Sequence, residues 1–549
     1  MPIQLMVLLA LLVLAIPARA IFRAYLRRRL FLEPWVNLTR DEEFAIGGGV
    51  AELLLFEIER IHRLLHRAAR AGGLWNEKLL LPSMERTSDG YTRLVHDVEL
   101  LGLPSRVTRL VQFVVNAKPR ALQGSIQRYG DRLRFQLRLT GTRRTQTPPV
   151  TSWATTIRAD EPDRVPEAVA DLAHQVMRDL AGIQGFKTPE AFRAFTSALA
   201  HHIDFANVSR SHSLEAALQH YRMAIEHDGS NALAACNLAD LLYVQFTFES
   251  NELAIEGFTN ALNTDNLGLR ARAYRGLANA LCQKYQRYRR RDRAVLDNAV
   301  WAARKANDLC TEVAMMLTDN EVASIKKAAA YAQQVSAEQP GLSASGREEK
   351  VAFAATLYRE AIQRDGMFSA AYNNLAYLHL EKAKTLYRSE PDYVQRNERI
   401  TEQIRHCLED ASNYCAGAIR TDRRLYVAYD NRGNIARLEA AILTTRAEEL
   451  LESAIDSYRE ALSYHPTYSA AFNDLAKAYV QLNALGLSRE EEGAELAWHY
   501  HWEALRHTDD ELSRHGLCDD FAKRPRPRPL ASVDRRAERC TCYSRGVLQ

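Results

Sequence analysis

Residues Ala454–Tyr479 read AIDSYREALSYHPTYSAAFNDLAKAY. Ala454, Tyr458 and Ala461 recur at steps of four and three, the spacing of one helical face. Pro466 stops that helix, and a second opens on Phe472, Leu475, Ala476 and Tyr479. The small residues Ala461 and Ala476 let two helices approach closely, and the aromatics fill the space between neighbours.

The same phrase recurs upstream. Ala217, Tyr221 and Ala224 precede Leu238 and Ala239; Ala354, Tyr358 and Ala361 precede Tyr372, Leu375 and Ala376. Ala254, Phe258 and Ala261 precede Tyr274, Leu277 and Ala278; Ala411, Cys415 and Ala418 precede Tyr429 and Gly433. From the first small residue to that of the following helix the step is 22 in four copies and 24 in the copy from Ala254. A fixed step means that one supersecondary unit is being stacked. Ala497, His501 and Ala504 look like the closing copy. The phrase resembles the tetratricopeptide repeat, at the point where the second helix of one repeat runs into the first helix of the next. The other half departs from that family: Ala376 to Ala411 spans 35 residues, and Ala278 to Ala299, Gly433 to Ala454 and Ala476 to Ala497 each span 21, where the family is shorter. Cys310 to Ala352, Ala-rich with a break at Gln339–Gly346, reads as a degenerate repeat.

At 549 residues the chain exceeds one core, and two or three domains are expected. A net charge of +4 gives no global field favouring nucleic acid. All eight cysteines lie beyond residue 235, and Cys236, Cys282, Cys310, Cys407 and Cys415 take small apolar positions of repeat helices. Nothing resembles a disulfide framework, which points to a reducing compartment. Cys540 and Cys542 flank one threonine in the tail, without a histidine partner.

Ile3 to Ile16 is apolar apart from Gln4, and extending to Phe22 gives a helix of about 30 Å. Arg19, Arg23, Arg27, Arg28 and Arg29 follow an uncharged start, so residues 3–22 are expected to span a membrane with the bulk of the chain cytoplasmic. Those arginines would meet anionic lipid, and Tyr25 and Trp35 would mark the interface. Ala18-Arg19-Ala20 also satisfies a cleavage pattern, and cleavage would make the protein periplasmic or secreted.

Residues 35–188 read as a separate unit. Ala51–Ala71 has helical period, Leu79–Pro82 suits a short strand, and Pro104–Val115 suits a helix. Ala121–Gln127 and Leu133–Leu139 read as strands joined at Tyr129-Gly130-Asp131, with Thr151–Ile157 as a third. Leu133, Phe135, Leu137 and Leu139 alternate with Arg134, Gln136 and Arg138, which buries one face. Pro166–Ala181 is a helix with Val169, Leu172, Ala173, Val176 and Leu180 inward. The run GSIQRYGDRLRFQLRL, then Trp153, then PEAVADLAHQVMRDL, is similar to the TolB-like α/β domain that precedes such repeats in many bacterial proteins. The resemblance implies a small mixed sheet with flanking helices and carries over no catalytic residue.

No phosphate loop, dinucleotide fingerprint, nucleophile elbow or HExxH is present, and no cofactor is expected. Gly47-Gly48-Gly49 lacks the Lys and Ser/Thr of a phosphate loop, and a helix start is the plainer reading. His62 and His66 stand four apart with Arg63 between and no third ligand; His201, His202 and Asp204 form a looser group. Lys284, Arg287, Arg289, Arg290, Arg291 and Arg293, interleaved with Tyr285 and Tyr288, read as a loop that is either solvated or bound to an anionic partner. In the tetratricopeptide family the first helix of each repeat lines a concave groove. The resemblance therefore points to Asn237, Arg275, Asn279, Asn373, Asn374, Asp430, Asn431, Asn473 and Lys477 as groove residues for a peptide, with Asn373 and Asn431 exposed.

The sequence thus reads as mainly α: a membrane helix and basic segment (1–34), an α/β domain with a mixed sheet (35–188), a tetratricopeptide-like solenoid (189–512) and a basic disordered tail (513–549). The expected function is a membrane-anchored, non-catalytic scaffold binding a protein partner. The alternatives are a nucleotide-responsive regulator or enzyme acting through the α/β domain, and a cell-envelope assembly factor.

Overall fold

The computed structural model describes residues 29–32, 35–38, 47–70, 83–86, 120–140, 152–180, 186–208, 211–245, 247–287, 292–389, 398–486 and 490–507. The leader, the strand expected at 79–82, the helix expected at 104–115, Arg289–Arg291 and the basic tail lie outside them. Among the described residues no helix is long and apolar enough to cross a membrane. The chain divides into two units, 1–241 and 242–549.

In the first unit, strands β1 (Arg29–Leu32), β2 (Val36–Asn37), β3 (Ser83–Arg86), β4 (Arg120–Tyr129), β5 (Arg132–Thr140) and β6 (Ser152–Arg158) form one sheet. Its order is β3-β1-β4-β5-β6, with β2 also on β4. The β4-β5-β6 core is antiparallel, and β1 and β2 join β4 in parallel. Residues 29–32, assigned from the sequence to the basic juxtamembrane segment, thus belong to the sheet. Their apolar run Leu30-Phe31-Leu32 suits a strand as well as it suits an interface.

The β4–β5 turn places Gly130 at φ 61°, the left-handed conformation that a tight hairpin requires. Leu133, Phe135, Leu137 and Leu139 are buried and Arg134 and Arg138 exposed, as the period of two dictates. Helices α1 (Gly47–Arg70) and α2 (Val165–Leu180) pack on one another, and Trp153 Nε1 donates to Asp179 Oδ2 of α2 at 2.7 Å. Trp35 is buried rather than interfacial: a Cβ on Gly124 would sit 2.2 Å from its indole, and Phe135 stands 6.4 Å away. Only a glycine at 124 leaves room for that ring. Helices α3 (Pro189–Val208) and α4 (Ser211–His227) pair next, followed by α5 (Ala232–Tyr243).

The second unit is built of helices: α6 (Phe248–Ala261), α7 (Leu267–Arg287), α8 (Arg293–Glu312), α9 (Asp319–Ala337), α10 (Ala344–Arg364), α11 (Ser369–Ser389), α12 (Glu398–Thr421), α13 (Tyr426–Ile442), α14 (Ala447–Tyr464), α15 (Ser469–Ala484) and α16 (Glu490–Arg506). They form antiparallel hairpins α7–α8, α9–α10, α11–α12, α13–α14 and α15–α16, and the first helices α7, α9, α11, α13 and α15 also touch in succession. These first helices make an inner layer. The stretch from Cys310 to Ala352, read as degenerate, holds a regular hairpin. Thr318 caps α9 in a capping box with Glu321, and Ser343 caps α10.

The small positions are buried as their spacing requires: Ala354, Ala361, Ala376, Ala454, Ala461 and Ala476 are fully enclosed. At two glycines of the first helices an aromatic ring takes the space of a side chain. A Cβ on Gly433 would lie 2.5 Å from the Tyr458 ring, and one on Gly276 would lie 2.2 Å from that of Phe258. The gap left by one residue is filled by another, so close packing is preserved across unequal repeats.

Candidate functional site: the inner layer of first helices

The repeat tyrosines are fully buried, and each phenol must find a partner. Tyr358 Oη donates to Gln334 Oε1 of α9 at 2.9 Å and accepts from Asn374 Nδ2 of α11 at 3.1 Å. Tyr458 Oη donates to Asn434 Oδ1 of α13 at 3.3 Å, and Arg437 Nε donates to it at 3.4 Å. In the first unit Tyr221 Oη accepts from Asn237 Nδ2 at 3.2 Å and lies 3.1 Å from His202 Nδ1. Burial raises the Tyr358 and Tyr458 phenols well above their ordinary range, so both keep their proton to donate.

This arrangement corrects the groove expectation for several side chains. Asn237 is fully enclosed and serves Tyr221; Asn374 serves Tyr358. Asn373 and Asn431, expected on the surface, are buried, and Asn431 Nδ2 donates to Asn373 Oδ1 at 2.9 Å, joining α11 to α13. The physical reason is the contact between successive first helices: a residue on the polar stripe faces the next helix before it faces solvent. Arg275 Nη1 donates to Ser324 Oγ of α9 at 2.9 Å in the same way.

A carboxylate pair lies between α13 and α15. Asn434 Nδ2 donates to Asp474 Oδ2 at 2.9 Å and to Asp430 Oδ2 at 3.3 Å. Burial raises the Asp430 carboxyl well above its usual range, and the charge of Asp474 adds to this. Burial would raise Asp474 too, but Lys477, whose Nζ donates to it at 2.9 Å, and Arg437 hold it low. Of the two carboxyls Asp430 is thus the one shifted up and Asp474 the one shifted down, and Asp430 Oδ1 has no hydrogen-bond partner among the described residues. The buried Oδ1 atoms of Asn473 and Asn279 are in the same position.

At the α7–α9 end the stripe is cationic. Burial lowers Lys327 to about 8, the like charge of Arg275 adds to this, and no carboxylate is among the groups that act on it. Its Nζ stands 5.6 Å from the centre of the Tyr331 ring. Gln283 is 5% exposed, and neither atom of its amide has a hydrogen-bond partner among the described residues. Lys327, Gln283, Asn434, Arg437 and Asp474 are functional candidates missed in the sequence. Their signal was there: each continues a stripe at steps of three or four from Asn279, Asp430 or Lys477, or recurs on α9 where the repeat was hardest to read.

The described members of the basic run sit on helices rather than in a loop. Lys284 and Arg287 close α7, and Arg293 opens α8 behind its cap Asp292. Lys284 Nζ pairs with Glu252 of α6 at 2.7 Å, and Arg293 Nε lies 3.6 Å from Asp297. Gly47–Gly49 form the first turn of α1. His62 and His66 stand with ring centres 6.4 Å apart. His202 turns in toward Tyr221, His201 stacks on His220 at 5.6 Å, and Asp204 lies 4.0 Å from Arg67, so these three do not converge. Among the described residues no group of three or more such side chains could hold a metal ion.

No family model matches the chain, and no curated protein matches it. Among solved structures it is similar to a monomeric mutant of IFIT1 with Gppp-AAAA, at 13% identity and TM-score 0.43, over 68% of this chain and 70% of that one. It is similar to the human IFIT1 dimer with m7Gppp-AAAA at 14% identity and TM-score 0.35, over 66% and 82% of the two chains. It is also similar to the TPR domain of P58(IPK) at 15% identity and TM-score 0.16, over 65% and 95%. With its recurring helix hairpins, its buried small positions and its stacked first helices, the chain is a tetratricopeptide-like helical-repeat protein.

Proposed function

We propose that the chain is a membrane-anchored scaffold, without catalysis of its own, that holds an extended segment of a partner protein along the inner layer of α7, α9, α11, α13 and α15. The observation that carries this reading is the set of buried polar atoms without partners on that layer: the Gln283 amide and the Oδ1 atoms of Asn279, Asn473 and Asp430. Such atoms cost about 1–3 kcal/mol each when left unpaired. A peptide backbone carries donors and acceptors at short, regular intervals and suits them without demanding a particular sequence. At the α7–α9 end, Lys327 and Arg275 favour an acidic side chain of the segment. The apolar run from Ile3 to Phe22, followed by arginines, supports an anchor with the bulk of the chain cytoplasmic.

Capture of partners from detergent-solubilised membranes tests the reading. Gln283→Leu removes an amide that the fold leaves without partners, and Lys327→Met removes a charge on which no carboxylate acts while keeping a long side chain over Tyr331, so both variants should stay folded. Both are expected to lose capture about tenfold or more, the equivalent of roughly 1.4 kcal/mol. Full capture by both folded variants would overturn the inner-layer site. A lumenal or periplasmic signal from a reporter fused after Gln549 would overturn the topology.

A further inference from the structure

We propose that the free face of the β4-β5-β6 sheet is a docking surface for anionic phospholipid headgroups. This rests on the anchor reading above. One face of the sheet is sealed by its own core; the other presents Arg132, Arg134 and Arg138 of β5, all exposed, with Thr156 and Ser152 of β6 on the same side. Cross-strand register puts Arg134 opposite Gln127 and Thr156, and Arg138 opposite Gln123 and Ser152, so neither arginine has a carboxylate as its cross-strand neighbour. Of the acidic groups at the β5–β6 end, Asp160 pairs with Arg158 at 2.9 Å, Glu161 pairs with Arg164 at 3.2 Å, and Asp131 lies in the β4–β5 turn; Glu85 belongs to β3 at the opposite edge of the sheet. Along β5, Arg132 and Arg134 stand about 7 Å apart and Arg134 and Arg138 about 14 Å, with Gln136 between them on the same side.

Three features select a lipid surface over other anions. Phe135 and Trp153 are on the buried face, and Tyr129, exposed at the hairpin end of β4, donates its hydroxyl to Gln127 Oε1 at 2.6 Å, so stacked bases find a single ring rather than a row of them; single-stranded nucleic acid is bound mainly on such platforms. At the β2 edge Val36, paired with Ser125, is 55% exposed, and Leu38 is 53% exposed, which sets apolar side chains beside a cationic row. Phe22, the end of the apolar leader, is seven residues from Arg29, the first residue of β1. That length of chain reaches at most about 25 Å. A domain tethered so closely meets the headgroups at high effective concentration, where a few cations suffice.

The test uses the full chain, reconstituted into vesicles of phosphatidylcholine alone or with about one third phosphatidylserine. Arginines are modified with phenylglyoxal and mapped by mass spectrometry. Modification of Arg134 and Arg138 should slow several-fold in the phosphatidylserine vesicles only, and high salt should restore it. Equal modification in both vesicles, with the protein resisting carbonate extraction, overturns the docking surface and leaves the anchor standing. Extraction by carbonate from both vesicles removes the anchor and the docking surface together. Protection in detergent by single-stranded DNA but not by phosphatidylserine overturns the proposal in favour of a nucleic-acid face.

Discussion

The β4-β5-β6 sheet and the inner layer of the repeat helices treat polar residues in opposite ways. In the sheet, polarity and exposure coincide: Arg134 and Arg138 are out, Leu133, Phe135 and Leu137 are in. In the inner layer they separate: Asn373 and Asn431 are polar and buried, and so are Asp430 and Asn434. The sheet has one covered face and one free face, so a period of two sorts every residue once. An interior first helix of the array has four neighbours: its own hairpin partner, the preceding second helix, and the first helices before and after it. Its polar stripe is therefore divided between a helix contact and the open side, and only the neighbour's side chains decide where the division falls.

The largest effect that tests this contrast is in the sheet. Phe135→Ala empties a core position and should cost about 3–5 kcal/mol, measured by denaturant unfolding, while Arg134→Ala should stay within about 0.5 kcal/mol. Equal costs would mean that the sheet has no free face and that the contrast is false.

Next come two changes in the array. Gly433→Ala places a methyl group against the Tyr458 ring and should cost about 1–3 kcal/mol. An unchanged stability would show that the ring has room to move. Asn431→Ala removes the donor that reaches Asn373 Oδ1 and leaves that oxygen buried, for an expected loss of about 1–3 kcal/mol. An exposed pair would show no loss, and a melting temperature equal to that of the parent would return both asparagines to the surface.

The smallest expected effect has a pH signature. Asp430 has a higher pKa folded than unfolded, so its contribution to stability is complete below the ordinary carboxylate range and is lost as pH rises through the folded value. Asp430→Asn keeps the shape and removes the ionisation. It should raise Tm by a few degrees above neutral pH, and the gain should vanish near about pH 4. Asp474, held low by Lys477 and Arg437, has the opposite sign: its share is present above the ordinary range and is lost as pH falls. A gain from Asp430→Asn that grows toward acid would show that the Asp430 carboxyl is shifted down rather than up.

By itself, the amino-acid sequence determined the repeat junctions, the two-faced β5 strand and the positions of the small residues. These follow from short-range periodicity, and period is a local property. Tertiary structure alone decided three other things. It drew Trp35 out of an expected interface into the space over Gly124, because that fit depends on a strand distant in sequence. It placed residues 29–32 in the sheet, because parallel pairing has no local signal. It turned the groove asparagines into the hydrogen-bond partners of Tyr221 and Tyr358 and of each other. A buried phenol takes whichever amide the next helix brings within about 3 Å, and that choice belongs to the stacking of helices rather than to any one of them.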